Sequence, residues 1–133
     1  MNLLLDTHIW LWMHLEPWKL SSEVTHTVTD PLNELWLSPI SIWELMLLVE
    51  GKKVTVNEPL DLFVVKSQKE SSLREAAFTW AVVEELRYTI LRHRDPADRF
   101  IAATAKFYDL TLITSDRRLL EGLPGLKVLA NDV

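Results

Sequence analysis

Two short apolar runs constrain this chain more than any other feature. They are LLL at residues 3–5 and LTLIT at residues 110–114, each followed within two residues by an aspartate. Runs so short and so apolar read as strands buried on both faces, here over residues 2–5 and 110–114, and such strands belong to parallel sheets with helices packed above and below. Helical patterns fill the intervals. One runs from Thr7 to His14 and is stopped by Pro17, and a second begins behind Ser21 or Ser22 and ends at Asp30–Pro31. LWLS (35–38) reads as another strand, Ser41–Glu50 as a helix with Gly51 as its C′ residue, and 59–70 as an amphipathic helix. EAAF (75–78) is a short strand candidate, Thr79 caps a helix over 80–88, and KVL (127–129) closes the series. The clearest helix start is DPADRFIAATA, where Asp95 is the N-cap and Pro96 the first helical residue.

This alternation predicts an α/β fold with a central, mostly parallel sheet, and ligands bind such sheets outside the carboxyl ends of the strands. Asp6 and Asp116 therefore belong on one and the same edge. At 133 residues the chain is expected to form a single domain over 1–133. It has no cysteine, which excludes disulfide frameworks and thiolate metal sites, and its four histidines show no ligand spacing. No apolar run approaches the ~20 residues that span a bilayer. The first residues lack the basic lead-in and cleavage site of a signal peptide, so a cytoplasmic protein is expected. The net charge of −5 argues against a simple cationic nucleic-acid binder. It does not argue against an enzyme whose acids are neutralised by bound cations.

Four acids merit individual reading. Asp6 is placed to cap the helix that begins at Thr7. Glu44 has two readings: it completes an S-x-x-E capping box with Ser41, or it is the one charge in an otherwise apolar, buried helix from Ile42 to Val49. Asp98 lies in the first turn behind Asp95, where the helix dipole accounts for one acid more readily than for two. Asp116 can start the next helix or turn. Taken together, two strand ends and two first turns on one edge gather four carboxylates. Two carboxylates ~5 Å apart repel by roughly 3 kcal/mol at an effective dielectric near 20. Such a cluster raises its own pKa values or takes up cations, and oxygen-only ligands favour Mg²⁺ or Mn²⁺. The matching chemistry is metal-assisted hydrolysis of a phosphodiester.

LLLDTHIWLW, ISIWELMLL, DPADRFIAATA and TLITSD resemble, in order and spacing, the four acidic motifs of PIN-domain ribonucleases, most closely the VapC-type toxins of prokaryotic toxin–antitoxin pairs. The resemblance spans residue 3 to about 130. It implies a three-layer α/β/α sandwich with about five strands and metal-dependent cleavage of RNA. Asp6, Glu44, Asp98 and Asp116 would be its catalytic and metal-binding acids, holding one or two Mg²⁺ or Mn²⁺ ions. Asp95, Thr114 and Ser115 would support them. Cleavage of this kind leaves a 5′-phosphate and a 3′-hydroxyl. The resemblance also implies a homodimer and an antitoxin partner bound in an apolar groove.

Basic residues crowd the acids in sequence: Arg92, His93, Arg94, Arg99, Arg117 and Arg118. They read either as a rim that grips RNA phosphates or as ion pairs with the same acids. The rim is favoured for Arg117 and Arg118, with Arg92 and Arg94 as further candidates, and the ion pair for Arg99 with Asp95. Of the six tryptophans, Trp10, Trp12, Trp36 and Trp43 are expected in the core and Trp18 on the surface. Competing functions are a DNA- or structure-specific nuclease of the same fold and a non-catalytic PIN-fold interaction module. A receiver-like phosphoacceptor is disfavoured, because LWLS and TLITSD supply neither its phosphorylatable aspartate nor its lysine.

Overall fold

The computed structural model describes residues 1–90, 95–121 and 123–132. Its sheet has five parallel strands, β1 (Asn2–Leu5), β2 (Glu34–Leu37), β3 (Arg74–Glu75), β4 (Thr111–Thr114) and β5 (Val128–Ala130), in the order β3-β2-β1-β4-β5. Helices α1 (Thr7–Leu15), α2 (Ser22–Thr29), α3 (Pro39–Glu50) and α4 (Leu60–Glu70) lie between the first three strands. Helices α5 (Trp80–Glu85), α6 (Pro96–Phe107) and α7 (Arg117–Leu120) follow them. This is the α/β/α sandwich expected from the alternation of apolar runs and helical patterns.

The pleat explains how one short strand serves two cores. Leu3 and Leu5 of β1 pack with Ile9 and Trp10 of α1, Val24 of α2, Leu45 of α3 and Phe63 of α4. Leu4, between them, packs on the opposite face with Ile101, Ala102 and Ala105 of α6 and Leu119 of α7. Alternate side chains of a strand point to opposite faces, so a strand covered on both sides has to be apolar throughout. The small residues Ala102 and Ala105 let α6 lie close against the sheet. Trp10, fully buried, donates its indole N–H to Ser67 Oγ at 3.1 Å and so joins α1 to α4.

Strand order sets the place of the site. From β1 the chain moves outward through β2 and β3, then returns to the other side of β1 for β4 and β5. The order reverses between β1 and β4, and Leu4 pairs with Leu112 and Leu5 with Ile113 across that seam. Crevices outside the carboxyl ends of strands form at such reversals. Both sheet edges are short, with two residues in β3 and three in β5. On the β3 edge Arg74 pairs with Glu34 at 2.7 Å and lies over the Trp36 ring, 5.8 Å from its centroid. None of the helices among the described residues is long and apolar enough to cross a membrane.

Three local expectations are corrected. Helix α3 begins two residues earlier than its sequence suggests, with Pro39 at the first position and Ser38 as the cap accepting the Ile40 N–H. The EAAF strand is displaced to Arg74–Glu75. Gly51 is not the left-handed residue behind α3: its φ is −81°, and Lys52 takes the left-handed conformation at φ 57°. Ser72 and Asp109 do the same behind α4 and α6. A side chain in this region costs about 1–2 kcal/mol, partly offset for glycine by its greater freedom in the unfolded chain. Lys52→Gly should therefore raise stability by up to about 1 kcal/mol in urea unfolding, since the Lys52 side chain is exposed.

Candidate active site

Asp6 follows β1 directly and is largely buried. Its backbone N–H continues the sheet by donating to the Ile113 carbonyl, while its side chain caps α1 by accepting the Thr7 N–H at 2.9 Å. The other carboxylate oxygen accepts the Thr114 hydroxyl at 2.6 Å, from the last residue of β4. The Thr114 oxygen in turn accepts the Asp116 N–H at 3.0 Å. One hydroxyl thus joins the acids that end the two strands flanking the reversal. Burial pushes the Asp6 carboxyl up from its ordinary value. The Thr114 and Thr7 hydrogen bonds and nearby His8 draw it down, and the Asp116 charge adds to the rise.

Glu44 enters from α3. With Ser38 as the cap, Glu44 is the sixth residue of the helix and not the third, so the capping-box reading with Ser41 is excluded. Ser41 is buried, with its hydroxyl 2.9 Å from the Thr7 hydroxyl, which also lies in hydrogen-bond contact with Glu44 Oε1. The Thr7 hydroxyl has one proton. It goes to the carboxylate, which can only accept, and Ser41 therefore donates to Thr7. Burial raises the Glu44 carboxyl above its ordinary value, the Thr7 bond lowers it, and the charges of Asp6 and Asp95 raise it further.

The remaining acids come from the other layer. Asp95 caps α6 through the Ala97 N–H at 3.0 Å, as its position before Pro96 predicts. Asp98, in the first turn of α6, is buried. Asp116 caps α7, accepting the Arg118 N–H at 2.9 Å. The Arg118 guanidinium links these two acids, 2.8 Å from Asp116 Oδ2 and 3.4 Å from Asp98 Oδ2. Asp6, Glu44, Asp98 and Asp116 are accordingly linked through Thr7, Thr114 and Arg118 on one sheet edge.

Other candidates are placed as follows. Arg117 is exposed and makes no ion pair among the described residues, and Ser115 lines an adjoining cleft. Arg99 does not form the expected ion pair with Asp95; its guanidinium donates to the carbonyls of Leu86 and Thr89 at 2.7 and 2.8 Å and fastens the segment after α5 to α6. Arg92 and Arg94 lie outside the described residues, as does His93. Helix α3 is not buried all round, for Trp43, Met46 and Leu47 are each nearly half exposed. Sequence reasoning missed Thr7 as a site residue. The one signal was a hydroxyl directly after a strand-end acid, and no spacing rule identifies its distant partner Glu44.

The donor set suits a hard divalent cation: every candidate ligand is a carboxylate oxygen, and two of the carboxyls hold their protons more tightly than usual. As the side chains stand, no three of the acids among the described residues are grouped to hold one ion; the Thr7 hydroxyl engages Glu44, the Thr114 hydroxyl engages Asp6, and Arg118 holds Asp98 and Asp116. Among the described residues, the cation that now serves this pair is Arg118.

Residues 3–122 match the model of the PIN domain family. Over 123 residues the chain is 30% identical to Ribonuclease VapC22 of Mycobacterium tuberculosis, with 89% of each protein covered. The fold is similar to that of VapBC2 from Rickettsia felis bound to a DNA fragment from its promoter, with a TM-score of 0.72, 19% identity and coverage of 99% of this chain and 100% of that one. It is also similar to VapBC-5 from Mycobacterium tuberculosis, a member of the VapBC family of toxin–antitoxin systems, at a TM-score of 0.61, 15% identity and coverage of 97% and 98%.

A raised carboxyl pKa means that the folded chain binds more protons than the unfolded one between the ordinary and the raised value, so folding stability falls as pH rises through that window. Asp6→Asn removes this contribution. The variant should gain stability relative to the parent as pH rises above the ordinary aspartate value, read as a widening difference in Tm without added metal.

Proposed function

The chain belongs to the PIN-domain family, in its VapC branch, and on that footing we propose that it is an endoribonuclease, a hydrolase of RNA phosphodiester bonds and the toxin of a toxin–antitoxin pair. The observation that carries the proposal is the linkage of four acids, Asp6, Glu44, Asp98 and Asp116, on one sheet edge through Thr7, Thr114 and Arg118. These four would hold one or two Mg²⁺ or Mn²⁺ ions. A divalent ion bound there supplies charge neutralisation and activates water for in-line attack on phosphorus.

The chain's own groups do the positioning. Thr114 fixes one oxygen of Asp6, and the α1 amide fixes the other. Thr7, set by Ser41, aims Glu44. Arg118 balances Asp98 and Asp116, and with Arg117 it would be a contact for the RNA phosphate. Arg92 and Arg94, just ahead of Asp95 in sequence, are further phosphate-contact candidates on the sequence alone. Ser115 offers its hydroxyl to a phosphate oxygen. Water is the nucleophile, and the leaving group departs as the 3′-hydroxyl.

The protein partners of this reading are a cognate antitoxin and a second copy of the chain, and its compartment is the cytoplasm. Exposed apolar side chains on α3 (Trp43, Met46, Leu47) and around α5 (Trp80, Tyr88, Ile90) support such contacts.

The purified chain should cut single-stranded and loop-containing RNA in Mg²⁺ or Mn²⁺ and lose that activity in EDTA. Asp6→Asn should abolish cleavage while the protein stays folded. Thr114→Val, which removes the hydroxyl and keeps the shape, should lower metal affinity or activity by about 10–100-fold. Cleavage that persists in EDTA or in Asp6→Asn would falsify the metal-dependent mechanism.

A further inference from the structure

Beside the acids, on the β4–β5 side of the same carboxyl edge, lies a cleft bordered by Trp12, Trp18, Lys19, Ser115, Arg117 and Asp132. Trp18 is 71% exposed, a large indole presented to solvent next to two cationic residues. Arg117 has no ion pair among the described residues, in contrast to its neighbour Arg118. The Lys19 ammonium lies over the Trp12 ring, 5.5 Å from its centroid, and pairs with Glu16 at 2.8 Å. Trp12 is thus covered, and Trp18 is the available aromatic face.

The cleft is fastened to the site. Asn131, buried behind β5, donates to the Lys19 carbonyl at 3.0 Å and accepts the Ser21 N–H at 2.7 Å. Its own N–H donates to the Thr114 carbonyl at 2.9 Å. The turn that carries Trp18, opened by Pro17 and closed by the Leu20 N–H on the Pro17 carbonyl, is therefore held to the same residue that orients Asp6.

An exposed aromatic plane with cations beside it is the chemistry that receives an unstacked nucleobase, since stacking takes any base and the cations take its phosphates. Ser115 and Arg117 flank Asp116, so a nucleotide in the cleft leads its phosphate toward the acids. We infer that this cleft is a nucleobase-stacking subsite, with Trp18 as the platform and Arg117 and Ser115 as the phosphate contacts. It would restrict the substrate to RNA that is unpaired next to the scissile bond. The inference rests on the ribonuclease reading proposed above for what is cut, but not for what is bound. A base within a duplex cannot reach the indole, which makes the site a device for choosing single strands and loops.

The test uses the full chain with fluorescein-labelled hexauridylate, measuring binding by anisotropy and cleavage by steady-state kinetics in Mg²⁺. Trp18→Ala should weaken binding and raise KM by about 10–100-fold with kcat nearly unchanged, and Trp18→Phe should keep most of the affinity. A single abasic position in the oligonucleotide should reproduce the loss in the parent and add little in Trp18→Ala. Trp18 is exposed, so both variants should melt like the parent. If Trp18→Ala binds and cuts as the parent does, the subsite is wrong while the ribonuclease reading stands. The subsite is equally wrong if the substitution impairs only association with a protein. If the parent binds the oligonucleotide through Trp18 but does not cut it, the subsite stands and the ribonuclease reading falls. Absence of both binding and cleavage overturns both.

Discussion

A carboxylate at the end of a strand buried on both faces sets the terms for everything around it. Asp6 sits where two apolar layers meet the solvent edge, and an ion there is unfavourable by several kcal/mol unless its oxygens are hydrogen-bonded. The chain meets that need from both neighbours, with the first amide of α1 on one oxygen and the Thr114 hydroxyl on the other. Because Thr114 ends β4, the bond depends on the register that pairs Leu5 with Ile113. A slip of one residue would turn Thr114 to the opposite face and leave Asp6 without its partner. Sheet topology and site chemistry are therefore one specification.

The four acids fall into two pairs of different character. Asp6 and Glu44 both bond to Thr7, the first through its backbone amide and the second through its hydroxyl, and their burial favours the protonated form. Asp98 and Asp116 share a charged guanidinium that is itself half exposed. A cation bound as proposed would meet a poorly solvated pair on one side and an already balanced pair on the other. The first would gain most from neutralisation, whereas the second would exchange one counter-charge for another.

Much of this was legible in the sequence, and the exceptions have physical causes. LLL and LTLIT could be read as strands because nothing else that short tolerates so little polarity, and their trailing aspartates followed by topology. Asp95 before Pro96 was legible because capping is a local event. Ser38 as the cap of α3 is not legible, since the serine ends an apolar strand run and Ser41 also fits a helix start. Trp43 reads as a core residue because a helix with one charge looks buried. The structure instead leaves one apolar stripe uncovered, a property of surfaces that no periodicity reports. Arg99 is a similar case. Carbonyls left over after a short helix, which attract its guanidinium, are invisible in residue types. Thr7 stayed unrecognised because its partner lies on another helix.

The two ends of the sheet have a consequence of their own. A strand of two residues flanked by the Arg74–Glu34 pair, and one of three residues on the far side, offer hardly any open peptide groups to an incoming chain. Growth by strand addition is closed off at both margins, and so is the runaway stacking that leads to fibres. Assembly has to proceed through side chains on helices, and contacts of that kind can be made, released and traded between different proteins without unravelling the ladder beneath them.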